Sequence, residues 1–381
     1  MTWQLHGLDD GTFAQKLLNE NTTWLTDLKD CPQDPIHHAE GDVLTHVLMV
    51  CQELVRLKDF QASDSQTQQI LAWAALLHDV AKPASTVHQP DGRISSPGHA
   101  SRGAVRARRI LWERDCPFHL REIICNLVYY HMRVFWALEQ DDPARLVREI
   151  SLHCPCHLLS ILATADARGR HCPDQQDLLD KVELFREVAR EAQCLHEPYP
   201  FASDTGRFQY LQGKWHNPEL APYEDFRCRV ILLSGLPGVG KDTWIQNHGQ
   251  NLPVVSLDNI RRQLSIDPRS NQARVADLAR EKAREYLRAK QDFIWNATNL
   301  SKMIRAKSLS LFLDYNAHVT IVYLDKSVKT VEQQNREREN SVTWEAIEKM
   351  MNRWEVPSPR EAHSVLFPQF SPTDRYQRHR E

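Results

Sequence analysis

The sequence predicts two domains: a helical first half over 1–200, then an α/β unit with a parallel sheet over 226–381, joined by a connector at 201–225. Three observations carry this. At 381 residues the chain exceeds what a single core ordinarily serves. Apolar residues in the first half recur at helical spacing, as at Val43, Leu44, Val47, Leu48, Cys51, Leu54 and Val55. In the second half short apolar runs alternate with helical segments, the pattern of strands lying parallel with helices between them.

Composition narrows the class. A hydrophobic fraction of 41% with 25% charged residues is that of a soluble globular protein. No run approaches the roughly eighteen apolar residues a membrane span needs, so no membrane partner is expected. Met1-Thr2-Trp3-Gln4 lacks the basic start and apolar core of a secretory signal. Nine scattered cysteines, an odd number, read as reduced thiols and a cytoplasmic location. The net charge of −3 hides an asymmetry: residues 226–381 carry 25 Lys and Arg against 18 Asp and Glu, so 1–225 carry 22 against 32. A basic second half suits an anionic partner such as ATP or nucleic acid, and an acidic first half suits metal cations; solvated surface accounts for both as well.

Taken in order, residues 1–36 carry no chemical motif. His37-His38-Ala39-Glu40-Gly41-Asp42 then leads into the helix that bears His46. A second helix, expected over 69–82, is almost wholly apolar until it presents His78, Asp79 and, one turn on, Lys82. Neutral imidazole, carboxylate and ammonium together suit a metal that holds a phosphate. Alone, the pair is weak, since a histidine in an apolar helix is more often a satisfied core residue. Four more residues raise its value: His46 upstream, His99 after Pro97-Gly98, His131 after Tyr129-Tyr130, and Asp166 in Thr164-Ala165-Asp166-Ala167-Arg168-Gly169-Arg170. The tract 150–165 reads as a helix delivering Asp166, and 173–196 as an amphipathic helix. His153-Cys154-Pro155-Cys156-His157 spaces its cysteines too closely for the usual zinc knuckle and reads as structural. The basic run Arg102 to Arg114 is ordinarily a solvated face, although Arg102 follows His99 closely enough to reach a phosphate.

The order His…His-Asp…His…His…Asp over successive helices resembles the HD phosphohydrolase superfamily. That resemblance implies an all-α HD fold in which His46, His78, Asp79 and Asp166 bind a divalent transition metal (Mn, Co, Ni, Cu or Zn). It implies that His99 and His131 complete a second site or touch substrate, that Lys82 and Arg170 handle phosphate, and that His38 lines the pocket.

In the second half Val230-Ile231-Leu232-Leu233 runs into Ser234-Gly235-Leu236-Pro237-Gly238-Val239-Gly240-Lys241-Asp242-Thr243, then a helix to His248. This is the strand, glycine loop and helix of a nucleotide-binding P-loop. Its glycines let backbone N–H groups turn toward one point at a helix N-terminus, and Lys241 adds a full charge for the β- and γ-phosphates. Gly235 to Thr243 are therefore the candidate ATP contacts. Asp242 stands where a Ser or Thr is usual, with Thr243 one residue later as the candidate hydroxyl. Further strands are expected at 253–256, 291–295, 318–324 and, shorter, 365–367, with a helix over 271–290. The ligand edge of such a sheet then collects Gly235, Asp258, Asn296 and Asp325. Asp258 suits a general base and equally a helix cap. Arg336 and Arg338 lie in a polar stretch, 333–341, suited to a lid or to solvated helix surface.

Gly-Leu-Pro-Gly-Val-Gly-Lys-Asp-Thr, Leu257-Asp258-Asn259-Ile260-Arg261, Asn296-Ala297-Thr298-Asn299 and Asn335-Arg336-Glu337-Arg338 together resemble P-loop 5′-OH polynucleotide kinases. The resemblance implies ATP or another NTP with Mg2+, Lys241 on its phosphates, Asp258 activating the 5′-hydroxyl, Arg261 on the acceptor phosphate and Arg338 as the lid arginine. Asn296 stands where an acidic residue is often found. Joined, the halves resemble the bacterial HD-Pnk family over nearly the whole chain. This implies a nucleic acid end-healing enzyme, acting on RNA ends above all: its HD half removes 2′,3′-cyclic phosphate, 3′-phosphate and 2′-phosphate, its kinase half phosphorylates the 5′-OH, and an RNA ligase acts in the same pathway. Two other readings stay open: an HD nucleotidase fused to a small-molecule kinase, and a non-catalytic ATP-binding regulatory module.

Overall fold

The computed structural model describes residues 2–20, 22–249, 251–266, 273–338 and 341–369. They form two compact units, the first ending at Tyr199 and the second beginning at Pro200. The first is helical apart from a hairpin of two two-residue strands, Val87–His88 and Ile94–Ser95, and the second is an α/β sandwich, as the apolar periodicities predict.

In the first unit the helix Val43–Arg56 starts where Asp42 accepts a hydrogen bond from the Thr45 N–H at 2.8 Å, and it buries Val43, Val47, Val50, Cys51 and Leu54. Asp64 caps the helix Ser65–Leu77 in the same way, through Thr67 N–H at 2.7 Å. From Ile70 to Leu77 every side chain of that helix is buried, so it runs through the centre of the unit. It is shorter than its apolar pattern predicts. The helix ends at Leu77, His78 takes the C-cap, and Asp79 to Lys82 continue in turns. Val80 and Ala81 are buried as deeply as the helix itself, so the pattern alone does not mark the break. The tract 150–165 likewise divides, into Pro143–Ser151 and Cys156–Arg168. Pro155 at the second N-cap disfavours helical backbone in the residue before it. His99–Glu113, Phe118–Tyr130 and Gln175–Glu191 complete the bundle.

One glycine sets the spacing of the two helices that matter most. A Cβ at Gly169 would lie 2.8 Å from the backbone nitrogen of Val50, so only glycine lets the end of the Cys156–Arg168 helix close on the helix bearing His46.

The second unit holds five parallel strands in the order Val254–Ser256, Phe293–Asn296, Cys228–Ser234, Ala317–Tyr323, Ser364–Leu366. The P-loop strand is central, paired Leu233 to Asn296 on one side and Ser234 to Tyr323 on the other. Its core gathers Val230, Leu232, Phe293, Trp295, Val319 and Ile321 from the strands with Ala279, Ala283, Leu287 and Phe312 from the helices Ala273–Arg288 and Lys302–Asp314. The stretch expected as a plain connector carries a helix, Asp204–Leu211, capped by Ser203. Asp204 accepts a hydrogen bond from Ser364 Oγ at 2.8 Å, and Arg207 donates to the His363 carbonyl, so this helix packs on the last strand. Among the described residues no helix is long and apolar enough to cross a membrane, and no cysteine is in a disulfide.

Candidate metal centre and candidate nucleotide site

Four helices and the turn after Leu77 bring all six predicted ligands together. Nε2 of His46 lies 3.3 Å from Nε2 of His78 and 3.1 Å from Asp166 Oδ1. Asp79 Oδ2 is 3.3 Å from His78 Nε2 and 3.8 Å from His46 Nε2. The other oxygen of Asp79 faces a second pair: Oδ1 is 3.4 Å from His99 Nε2 and 3.9 Å from His131 Nε2, which are themselves 3.2 Å apart. One carboxylate therefore serves two donor clusters, His46–His78–Asp79 and Asp79–His99–His131.

The imidazoles are aimed by their far nitrogens. His78, His99 and His131 each place Nδ1 on the carbonyl three residues earlier: Ala75 at 2.8 Å, Ser96 at 2.8 Å and Val128 at 2.7 Å. An Nδ1–H donated there leaves Nε2 with its lone pair inward, the tautomer a metal needs. His46, inside a helix, has no such carbonyl. Its Nδ1 meets Glu40 Oε1 at 2.9 Å and the Gly169 carbonyl at 3.3 Å. The same Glu40 oxygen holds His38 Nδ1 at 2.7 Å, while its Oε2 accepts the His171 N–H at 2.9 Å.

Two basic side chains stand against the carboxylates of the cluster. Arg170 grips Asp166 with two bonds, Nη2 to Oδ2 at 2.6 Å and Nε to Oδ1 at 3.0 Å. Lys82 Nζ sits 2.7 Å from Asp79 Oδ2 and donates to Gln33 at 2.6 Å. Burial alone would raise the pKa of both carboxyls; the neighbouring cations outweigh it and hold Asp79 and Asp166 well below the carboxylate range. Desolvation lowers His38 to about 4 and His131 to about 3 and also lowers His99, so these rings are neutral donors near pH 7. The residues fit a divalent cation. Asp79 Oδ1 is a buried oxygen without a hydrogen-bond partner, aimed at two imidazole nitrogens, and a mixed nitrogen and oxygen donor set suits Mn, Fe, Co, Ni, Cu or Zn.

In the second unit the P-loop follows the central strand and opens the helix Lys241–His248. Gly235 has φ +146°, and a Cβ there would lie 2.5 Å from the Leu324 carbonyl, so the loop requires glycine at its start. Lys241 Nζ donates to the carbonyls of Gly235 at 3.0 Å and Leu236 at 2.9 Å, folded back on its own loop. Burial and then the nearby Arg338 guanidinium pull its pKa down to about 8, against the pull of Asp258 and Asp242. Asp258 lies in the first turn of the helix Leu257–Gln263 and pairs with Arg261 in its last. The cap of that helix is Ser256, whose Oγ accepts from Asn259 N–H at 3.3 Å, so Asp258 is not spent as a cap. Asn296, ending its strand, donates through Nδ2 to Asp242 Oδ1 at 2.8 Å. Arg336 ends the helix Val328–Arg336 and Arg338 follows it; residues 339 and 340 of the expected lid lie outside the described residues.

The HD domain family matches residues 43–167, and the AAA domain family matches residues 230–357. The chain joins an HD domain to a P-loop domain. Among curated proteins, the multifunctional CCA protein of Halorhodospira halophila (strain DSM 244 / SL1) is 34% identical over 108 residues, 28% of this chain and 23% of that protein. The multifunctional CCA protein of Aromatoleum aromaticum (strain DSM 19018 / LMG 30748 / EbN1) is 32% identical over 100 residues, 26% and 22% of the two chains. The chain thus spans about a quarter of the length of these relatives, a distant HD homology. A crystal structure of a provisionally described kinase from Chloroflexus aurantiacus J-10-fl aligns over 37% of this chain and 87% of its own at 16% identity. Its TM-score is 0.31, and a likeness of that size carries no argument.

Two residues of the HD domain's site escape a reading from sequence. Glu40 and Gln33 lie in the irregular segment before the His46 helix, where no periodicity says which way a side chain points. The one signal for Glu40 is its place two residues after His38. Arg102 donates to Ser85 Oγ at 3.0 Å, and of the cysteines flanking Pro155 both are buried.

Proposed function

We propose that the chain is a two-site nucleic acid end-healing enzyme of the HD-Pnk kind. Its HD domain removes 2′,3′-cyclic, 3′- and 2′-phosphates, and its P-loop domain transfers the γ-phosphate of ATP to a 5′-hydroxyl. The observation that carries the reading is the presence on one chain of a twin donor cluster and of a P-loop whose mouth holds Asp258, Arg261 and Arg338. RNA ends are the substrate proposed, and an RNA ligase the enzyme that consumes the product.

In the HD domain His46, His78, Asp79 and Asp166 would hold one divalent cation, and Asp79, His99 and His131 a second. Such cations polarise a phosphoryl oxygen and acidify a water. The chain's own residues do the rest. Glu40 and the three backbone carbonyls keep the imidazoles aimed. Lys82 and Arg170, which pair with Asp79 and Asp166, would turn a positive edge toward a phosphate on the cluster. His38 borders the same cluster, its ring 4.8 Å from that of His46.

In the kinase domain the 5′-hydroxyl proton passes to Asp258 as its oxygen bonds to the γ-phosphorus, and the bond from that phosphorus to the β,γ-bridging oxygen breaks, releasing ADP. Lys241 exchanges its loop carbonyls for ATP oxygens. Arg261 leaves Asp258 for the acceptor phosphate; a bound Mg2+ would supply neutralisation of the nucleotide's charge.

The experiment uses the full chain, ATP, Mg2+ and manganese or cobalt, with an RNA bearing a 5′-OH and a 3′-phosphate. End-group analysis should find a 5′-phosphate and a 3′-OH. Retention of both original ends overturns the reading, and phosphorylation of free nucleosides in preference to the oligonucleotide moves it to a small-molecule kinase.

A further inference from the structure

Two departures in the P-loop domain are unexplained when read separately. In P-loop enzymes magnesium is commonly held by a Ser or Thr hydroxyl after the P-loop lysine and by an acidic residue at the end of a neighbouring strand. Here Asp242 follows Lys241, and Asn296 ends the strand that lies beside the P-loop strand. Asn296 offers no carboxylate, and Asp242 no hydroxyl, where such a site ordinarily has them. In the structure the two residues touch, Asn296 Nδ2 donating to Asp242 Oδ1 at 2.8 Å.

We propose that the pair is an exchange: the carboxylate of the Mg2+·ATP site has moved across one hydrogen bond, from the strand end to the first turn of the P-loop helix, and Asn296 has become the residue that orients it. The inference rests on the kinase half of the proposed function for its nucleotide alone, and its readout needs no acceptor.

Five physical points support the exchange. Asn296 is buried at 8% exposure while Asp242 is exposed, so the amide is the fixed member and the carboxylate the reachable one. A carboxylate has two oxygens, and the bond from Asn296 occupies one. A bare negative charge in the first turn of this helix opposes a polyphosphate and favours one that arrives with its cation. Asp242 also helps keep Lys241 protonated, so cation and carboxylate already share one field at the mouth of the loop. Finally, an acid at 296 would set two carboxylates at hydrogen-bond distance, and one would have to hold a proton. Asparagine is the partner that an aspartate at 242 calls for.

The exchange predicts a reciprocal pattern in Mg2+-dependent ATP binding, measured by titration calorimetry on the full chain without acceptor. Wild type should bind ATP at least about tenfold more tightly with Mg2+ than with chelator. Asp242→Ser should lose most of that gain while keeping or improving its Mg2+-free affinity, and Asn296→Asp should weaken the gain as well. The double change Asp242→Ser/Asn296→Asp rebuilds the commoner pair and should recover the gain to within about threefold of wild type, a coupling of the kind expected for touching residues. Thermal melting checks that each variant is folded. An intact Mg2+ gain in Asp242→Ser, no recovery in the double variant, or loss of the gain in Thr243→Val with Asp242→Ser unaffected would each overturn the exchange. A wild type that binds Mg2+·ATP in this pattern yet phosphorylates no 5′-OH RNA would sink the acceptor reading and leave the exchange standing.

Discussion

The two candidate sites are built on opposite plans. In the HD domain the donors are buried, except for the half-buried His99, and each imidazole's second nitrogen is already engaged, so the cluster is aimed before any cation arrives. In the P-loop domain the charged groups are satisfied by one another or by their own loop: Lys241 on the carbonyls of Gly235 and Leu236, Asp258 on Arg261, Asp242 on Asn296. The difference matches the proposed ligands. A resident cation repays a rigid, desolvated cage, whereas a nucleotide that must enter and leave needs partners it can displace at small cost.

The strongest break between the plans is functional independence. Asp79→Ala removes the carboxylate common to both clusters and should cost on the order of 10³-fold or more in phosphate removal, with 5′-phosphorylation within about twofold of wild type. Lys241→Ala should show the mirror image. Loss of both activities in either variant would mean that the sites do not work separately.

Stability sharpens the contrast next. Arg170→Met leaves Asp166 buried with its strongest partner gone, and should cost about 3 kcal/mol in denaturant unfolding without metal. Added Mn2+ should return part of that loss, because a cation would replace the missing positive charge. Arg261→Met removes an ion pair whose Asp258 is 64% exposed, and should cost less than about 1 kcal/mol. Equal costs would erase the distinction between a caged and an open site.

A smaller effect separates aiming from ligation. Glu40→Ala frees His46 Nδ1 and should weaken Mn2+ binding by about 10- to 100-fold in calorimetry, with Glu40→Gln in between because an amide oxygen still accepts the Nδ1–H. A merely structural Glu40 would lower the melting temperature and leave the affinity of the folded protein unchanged.

These contrasts also explain what the sequence reveals. The P-loop, its strand and its helix are legible because the candidate site is one continuous stretch of chain, with Gly235, Gly238, Gly240 and Lys241 close together in it. The candidate HD ligands are legible one by one, since His78, Asp79 and His131 each stand out at the end of an apolar helix and His99 opens a basic one after Pro97-Gly98. Their shared geometry is not, because Asp79 turns its two oxygens to different partners only after the helix stops at Leu77. Glu40 is hidden in an irregular segment, and the Asp242–Asn296 contact joins residues 54 positions apart that look like two separate defects until the sheet register brings them together.

The finest test of the open plan is the proton on Lys241. Its ordinary pKa of 10.5 is pulled down to about 8 by burial and by Arg338. Between those values the folded chain binds fewer protons than the unfolded one, so this residue makes folding more favourable as pH rises from about 8 to 10.5. Nucleotide binding has the opposite sign. ATP oxygens favour the charged amine and raise its pKa, so above pH 8 the complex forms with uptake of a proton. Affinity should then fall by up to about tenfold per pH unit, and calorimetry in buffers of different ionisation enthalpy should register close to one proton taken up near pH 9 and little near pH 7. Arg338→Gln removes one of the two causes of the shift and should move the onset of uptake to higher pH. An onset that stays near pH 8 in that variant would assign the shift to burial alone and take Arg338 away from the phosphates.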